Sequence, residues 1–175
     1  NSVAAAAVSF TVGISIPNIK KGLLNFRGVQ RRFNKIFTHN NINYYDDYAH
    51  HPTEIKFVLE GVAKVYKNYE KVCVFQPHRI SRLKDLRKEF SSAFRNADIV
   101  VLCPIFTAGE KMNLGFSYNN FAKEIIKNSK VELFLVNGVN ELANFLKKNM
   151  FGKKIVIGMG AGTISNWMRE LPKIM

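Results

Sequence analysis

Four short, nearly all-apolar runs alternate with stretches of helical periodicity, and this alternation constrains the fold more than any other feature of the chain. Val72-Cys73-Val74-Phe75 and Ile99-Val100-Val101-Leu102 contain no polar side chain, as expected of strands covered on both faces. Residues 132–136 and 154–158 repeat the pattern with one charged residue at the start. Between them, residues 54–69 place Ile55, Val58, Leu59, Val62 and Val65 at helical spacing. Further helices are predicted over 81–94, with Ser81 as cap, and over 117–128, 140–149 and 163–171, with Pro172 beyond the last. Strands and helices joined by short connections fold as an α/β domain with a mostly parallel sheet and helices on both faces.

Upstream the pattern changes. Residues 32–37 and 42–45 alternate with period two around His39-Asn40-Asn41, which predicts a hairpin. Its first strand is expected to be the one antiparallel edge strand of a Rossmann-like, three-layer domain. Residues 2–12 and 17–26 read as two short helices, punctuated by Gly13 and Gly28. They are too short to bury their apolar faces against each other. The expected division is therefore 1–28, the tail of another domain, and 29–175. The chain opens on Asn1 inside an Ala-rich run and is expected to be part of a longer protein.

The formal net charge is +13. A basic balance of this size fits a nucleic-acid partner, but the cations are scattered in pairs such as Lys20-Lys21, Arg31-Arg32 and Lys147-Lys148. No basic stripe with interleaved aromatics is present, so no nucleic-acid partner is expected. The uncharged run 2–16 is too short for a membrane span. Two cysteines without a spacing pattern read as reduced, buried thiols of a cytoplasmic protein.

The residues that do not serve the core come in four groups, each after a predicted parallel strand. Asp46, Asp47, Tyr48, His50 and His51 follow the first. Gln76, Pro77, His78, Arg79 and Arg82 follow the second. Thr107, Gly109, Glu110 and Lys111 follow the third, and Gly158, Gly160, Gly162 and Thr163 the last. The carboxyl ends of parallel strands share one edge of a sheet, where ligands bind. Two acids crowded there must face water, a cation or ligand donors. Arg79 and Arg82, three apart at a helix start, can clamp one carboxylate or phosphate. The Gly158–Gly162 stretch has the look of a phosphate loop, or of a turn that needs close packing. Asp and Asn in turns, and Pro in a first helical turn, are also ordinary structural residues. His50 and His51 are adjacent and point to different sides, so no protein metal site is expected. No G-x-x-x-x-G-K-[ST] motif occurs, so a complete nucleoside triphosphate site is not encoded.

Taken together, Asp46-Asp47-Tyr48-Ala49-His50-His51-Pro52-Thr53-Glu54, Phe75-Gln76-Pro77-His78-Arg79-x-x-Arg82, Ala108-Gly109-Glu110 and Gly160-Ala161-Gly162 closely resemble the Mur ligases. The resemblance covers nearly the whole chain, with residues 29–175 like the family's carboxyl-terminal domain. It implies an ATP-dependent amide ligase of peptidoglycan synthesis, acting through an acyl phosphate. The family member it is most similar to adds L-alanine to UDP-N-acetylmuramate. The murein tripeptide recycling member ranks lower, because its second cluster runs Glu-Pro-Arg-Ser-Asn. By matching position, His78, Arg79 and Arg82 would hold the L-alanine carboxylate, and Tyr48 and His50 would shape the pocket and orient the amine. Asn1, Arg32 and Asp47 would contact the nucleotide. ATP and Mg2+ are the implied cofactors, magnesium being held mainly by the central domain. The implied partners are the two substrates and the chain's own N-terminal and central domains, without which the piece is expected to be inactive. The sequence leaves open which aspartate meets nucleotide, and whether the amino acid is L-alanine, glycine or L-serine. A basic nucleotide- or nucleic-acid-binding module is the reading from another class.

Overall fold

A computed structural model describes residues 2–111 and 115–175. The chain separates into two compact units, Asn1–Gln30 and Arg31–Met175. The first holds α1 (Ser2–Thr11) and α2 (Ile16–Asn25), and neither helix has a buried residue. Val8, Phe10, Ile16 and Leu24 are largely exposed.

The second unit is a six-stranded sheet between helices. In chain order it contains β1 (Asn34–His39), β2 (Ile42–Asp47), α3 (Pro52–Val65), β3 (Glu70–Phe75), α4 (Ile80–Asp85), α5 (Arg87–Ser92), β4 (Ile99–Leu102), α6 (Tyr118–Ser129), β5 (Glu132–Leu135), α7 (Val139–Asn149), β6 (Lys154–Met159) and α8 (Ile164–Ile174). The strand order is β1-β2-β6-β3-β4-β5. Among the described residues only the β1–β2 hairpin is antiparallel, as its Asn40-Asn41 turn predicts; both asparagines take positive φ.

Period-two alternation splits the strands between two cores. Cys73, Phe75, Ile155, Ile157 and Met159 face one side, packed with Ile55 and Leu59 of α3, Phe90 of α5 and Phe121 and Ile125 of α6. Val72, Val74 and Val156 face the other, with Leu142 and Leu146 of α7 and Ile164, Met168 and Leu171 of α8. Burying each such side chain contributes about 1.5–3 kcal/mol. Cys73 and Cys103 are buried and unpaired in this core. Among the described residues no helix is long and apolar enough to cross a membrane.

Three local expectations are corrected. The helix expected over 81–94 is broken at Leu86 (φ −112°, ψ 25°) into α4 and α5. Ser81 does not cap it: Arg79, at φ 67°, is the cap residue, and Ser81 lies in the first turn bonded to Glu110. At the end of the chain α8 continues through Pro172 to Ile174. Pro there forfeits one hydrogen bond of the last turn, while Leu171, Ile174 and Met175 pack onto the core.

Candidate active site at the carboxyl edge of the sheet

Register aligns the strand ends. Asp47 pairs with Met159, Met159 with Phe75, Phe75 with Leu102 and Leu102 with Leu135. The loops that follow therefore leave from a common rim. They are also bonded to one another. Gly160 N–H donates to the Asp47 carbonyl (3.2 Å), Gln76 Nε2 to Thr163 Oγ1 (3.0 Å) and Arg79 N–H to the Phe106 carbonyl (2.9 Å).

Helix α3 begins with Pro52 and is held by two side chains. His51 Nδ1 accepts from Thr53 N–H (3.3 Å), and Glu54 accepts from the N–H groups of His50 and His51 (3.0 and 3.1 Å). His51 is thus spent on capping. His50 turns the other way and donates from Nδ1 to the Tyr48 carbonyl (2.9 Å), because a carbonyl can only accept.

A row of rings runs along the rim. Tyr48 and His50 meet edge to face at 5.0 Å, His50 and His78 at 5.8 Å, and His78 stacks on Phe106 at 5.5 Å. Arg82 donates from Nη1 to His78 Nδ1 (3.4 Å). Burial, aided by Arg82, His50 and Arg79, holds the His78 pKa below its ordinary range. His78 is therefore a neutral imidazole at pH 7. Arg79 is exposed, and among the described residues its guanidinium makes no hydrogen bond or ion pair. So Tyr48, His50, His78, Arg79 and Arg82 share one region, with one guanidinium free for an anion. Glu110 fixes α4 beneath them by accepting from Ser81 N–H (3.0 Å) and Ser81 Oγ (2.6 Å).

The two aspartates part company. Asp47 is 7% exposed and lines a cavity of about 410 Å3 with Arg32, Phe33, Tyr48, Ala49, Glu54, Phe57 and Val58. Its Oδ2 accepts from Phe33 N–H and its Oδ1 from Ala49 N–H, both at 2.8 Å. Burial raises its pKa, against those two hydrogen bonds. Each oxygen retains a lone pair that a hydroxyl could fill. Asp46 is fully buried and faces the protein's own donors. Ser165 Oγ donates to Oδ2 at 2.5 Å, with Arg31 Nε and Arg169 Nη2 at 3.8 and 3.7 Å. The sequence does not single out Arg31; beside Arg32 nothing local distinguishes it. The one signal is that a buried aspartate must find a cation.

The glycine-rich stretch is a packing device rather than a phosphate loop. A Cβ on Gly160 would lie 2.7 Å from the Gln76 carbonyl oxygen, and one on Gly162 would lie 2.5 Å from Gln76 Oε1 and 2.6 Å from Phe106. The Ile164 N–H at the start of α8 donates to Gln76 Oε1 (2.9 Å), so a side chain occupies the place a phosphate would take. Asn1, expected near the nucleotide, lies outside the described residues. Among the described residues no group of three or more His, Cys, Asp or Glu could hold a metal ion.

Residues 31–162, more than half of the chain, match the model of the "Mur ligase, glutamate ligase domain" family. The chain belongs to the Mur ligase family. Over all of its 175 residues this Mur ligase domain is 68% identical to a UDP-N-acetylmuramate–L-alanine ligase of Pelagibacter ubique, covering 38% of that protein. Over 173 residues it is 35% identical to the Bartonella bacilliformis enzyme of the same name, covering 36% of it. The chain thus spans under two fifths of the length of these relatives. Among solved structures it is similar to the UDP-N-acetylmuramate–alanine ligase MurC of Thermotoga maritima, with a TM-score of 0.78 and 28% identity over 98% of the chain and 36% of that protein. A murein peptide ligase of Psychrobacter arcticus, 18% identical with a TM-score of 0.71 over 99% of the chain and 35% of that protein, shares the Mur ligase fold.

Proposed function

We propose that this chain is the carboxyl-terminal domain of a cytoplasmic, ATP-dependent ligase that joins L-alanine to UDP-N-acetylmuramate in peptidoglycan synthesis. One observation carries the reading. Tyr48 belongs both to the ring row whose His78 is bonded to Arg82 and followed by Arg79, and to the cavity that holds Arg32 and Asp47. An amino-acid pocket and a nucleotide pocket that share a wall suit a reaction in which ATP and an amine meet.

In this reading Arg79 and Arg82 take the L-alanine carboxylate through charge-assisted hydrogen bonds. Neutral His78 adds no positive charge beside the amine and offers Nε2–H as a donor. His50 and Tyr48 close the pocket and aim the amine. The amine nitrogen attacks the acyl phosphate carbonyl, inorganic phosphate leaves from the tetrahedral intermediate, and the nitrogen gives up a proton. Arg32 and Asp47 hold the nucleotide, Asp47 through ribose hydroxyls. Magnesium, held by the central domain, would screen the phosphate charges. Residues 1–28 belong to that central domain. Closing the cleft excludes water that would hydrolyse the acyl phosphate.

The test is ADP release by the intact protein with UDP-N-acetylmuramate and ATP. Release that depends on L-alanine is expected, and release that depends instead on a murein tripeptide would move the assignment to the recycling ligase. The 175-residue chain alone should not turn over ATP.

A further inference from the structure

The cluster built on the buried Asp46 is not used by the proposed reaction, yet it gathers two partly exposed guanidinium groups on that carboxylate and is joined to the ring row through one of them. Arg31 is held at several points. Its Nη2 donates to the Gly160 carbonyl (2.6 Å), its Nε faces Asp46 Oδ2, and its own carbonyl accepts from Tyr48 N–H (2.7 Å). Its guanidinium carbon sits 4.7 Å from the centre of the Tyr48 ring. Tyr48 is otherwise half exposed and has His50 on its edge. The Arg31 backbone at φ 59° brings the side chain back over the strand ends. Arg31 opens the second compact unit, so the chain enters this domain through the residue that braces Tyr48.

We propose that Arg31 is a positioning residue for the amino-acid pocket. It holds the Tyr48 ring against His50 and ties that ring to the Gly160 loop, without touching the amino acid. The inference rests on the assignment of Tyr48 to the L-alanine pocket. A planar guanidinium can lie on an aromatic face while its N–H groups reach a carbonyl and a carboxylate; an ammonium cannot do these together. Arg31→Lys therefore keeps a charge near Asp46 but loses the brace. Arg169 serves as the contrast, since it shares Asp46 and makes no contact with Tyr48.

The experiment is steady-state kinetics on the intact ligase, with melting temperature measured alongside. Arg31→Lys should raise the KM for L-alanine about tenfold while leaving the KM for ATP within about twofold. Arg169→Gln should lower the melting temperature as much as Arg31→Lys, with no change in the KM for L-alanine. In a Tyr48→Ala background Arg31→Lys should add nothing further, because the two residues act as one unit. An undiminished effect in that background, or the same KM rise from Arg169→Gln, would overturn the positioning role. If Tyr48→Ala alone leaves the KM for L-alanine unchanged, the pocket assignment itself fails and takes this role with it.

Discussion

His78, just ahead of the cap of α4, and Arg82, in the first turn of that helix, meet with Arg82 Nη1 3.4 Å from His78 Nδ1. The geometry makes Nδ1 an acceptor and places the imidazole proton on Nε2. Burial and three neighbouring groups that are or can become positive hold its pKa below the ordinary 6.5. The fold therefore favours the neutral ring. Its contribution to stability is fully present above pH 6.5, the unfolded value, and is lost as pH falls through the lower folded value. In the intact protein, the His78 ring signal by NMR should titrate below 6.5, and His78→Gln should flatten the acid limb of the stability curve. A midpoint above 6.5 would contradict the assignment of Nδ1 as acceptor.

The Arg79 guanidinium has no hydrogen-bond or ion-pair partner among the described residues, and its backbone bond to Phe106 survives substitution, so loss of the side chain should be felt by a ligand and not by the fold. A hydrogen bond to a charged group contributes about 1.5–3 kcal/mol. Arg79→Ala is expected to raise the KM for L-alanine roughly 10- to 100-fold, with the melting temperature unchanged and the KM for ATP within about twofold. Equal rises in both KM values would remove the carboxylate-clamp role.

The aspartate pair should separate stability from nucleotide affinity. Asp46→Ala removes the acceptor of the buried Ser165 hydroxyl, a charged hydrogen bond that contributes about 1.5–3 kcal/mol, and leaves the partly exposed Arg31 and Arg169 without their carboxylate. Asp47→Asn removes the charge but turns an amide Nδ2 toward one of the two N–H groups that the carboxylate oxygens now accept from, an unmet buried donor that costs about 1–3 kcal/mol. It should cost stability by about that amount and also raise the KM for ATP, whereas Asp46→Ala should leave the KM for ATP unchanged. Melting curves and ATP titrations on both variants decide this; a loss of ATP affinity confined to Asp46→Ala would reverse the assignment.

Glycine tolerance should follow space. Gly162→Ala meets Gln76 Oε1 and Phe106, and Gly160→Ala meets backbone at φ 147°. Each should destabilise by about 1–3 kcal/mol. Gly61, in α3, has open space within 4 Å of where an added methyl group would stand, and Gly61→Ala should stabilise the helix by up to about 1 kcal/mol. Thermal unfolding of the three variants checks the order; a harmless Gly162→Ala would argue that the loop is roomy enough for a ligand.

Much of the fold could be read from the chain because the information was local. The apolar runs at 72–75 and 99–102 became β3 and β4, and the Asn40-Asn41 turn became the antiparallel hairpin. The break at Leu86 and the cap at Arg79 could not be read: no Gly or Pro stands at either position, and the start of α4 is held by Glu110 and Phe106 from a distant loop. Nothing in the local pattern gave Arg31 a role, and only the family resemblance picked out Arg32; Arg31 is tied to Asp46 and Tyr48, and Arg32 lines the cavity.

The sequence alone determined that the polar clusters would gather on one rim, since successive parallel strands must all end on the same side of a sheet. Only the tertiary structure decided which clusters touch. It inserted β6 between β2 and β3, which set Gly160 between Asp47 and Gln76 and gave Asp46 its cations. Periodicity is written within each segment, whereas strand order and the pairing of buried charges are settled by contacts between segments more than a hundred residues apart.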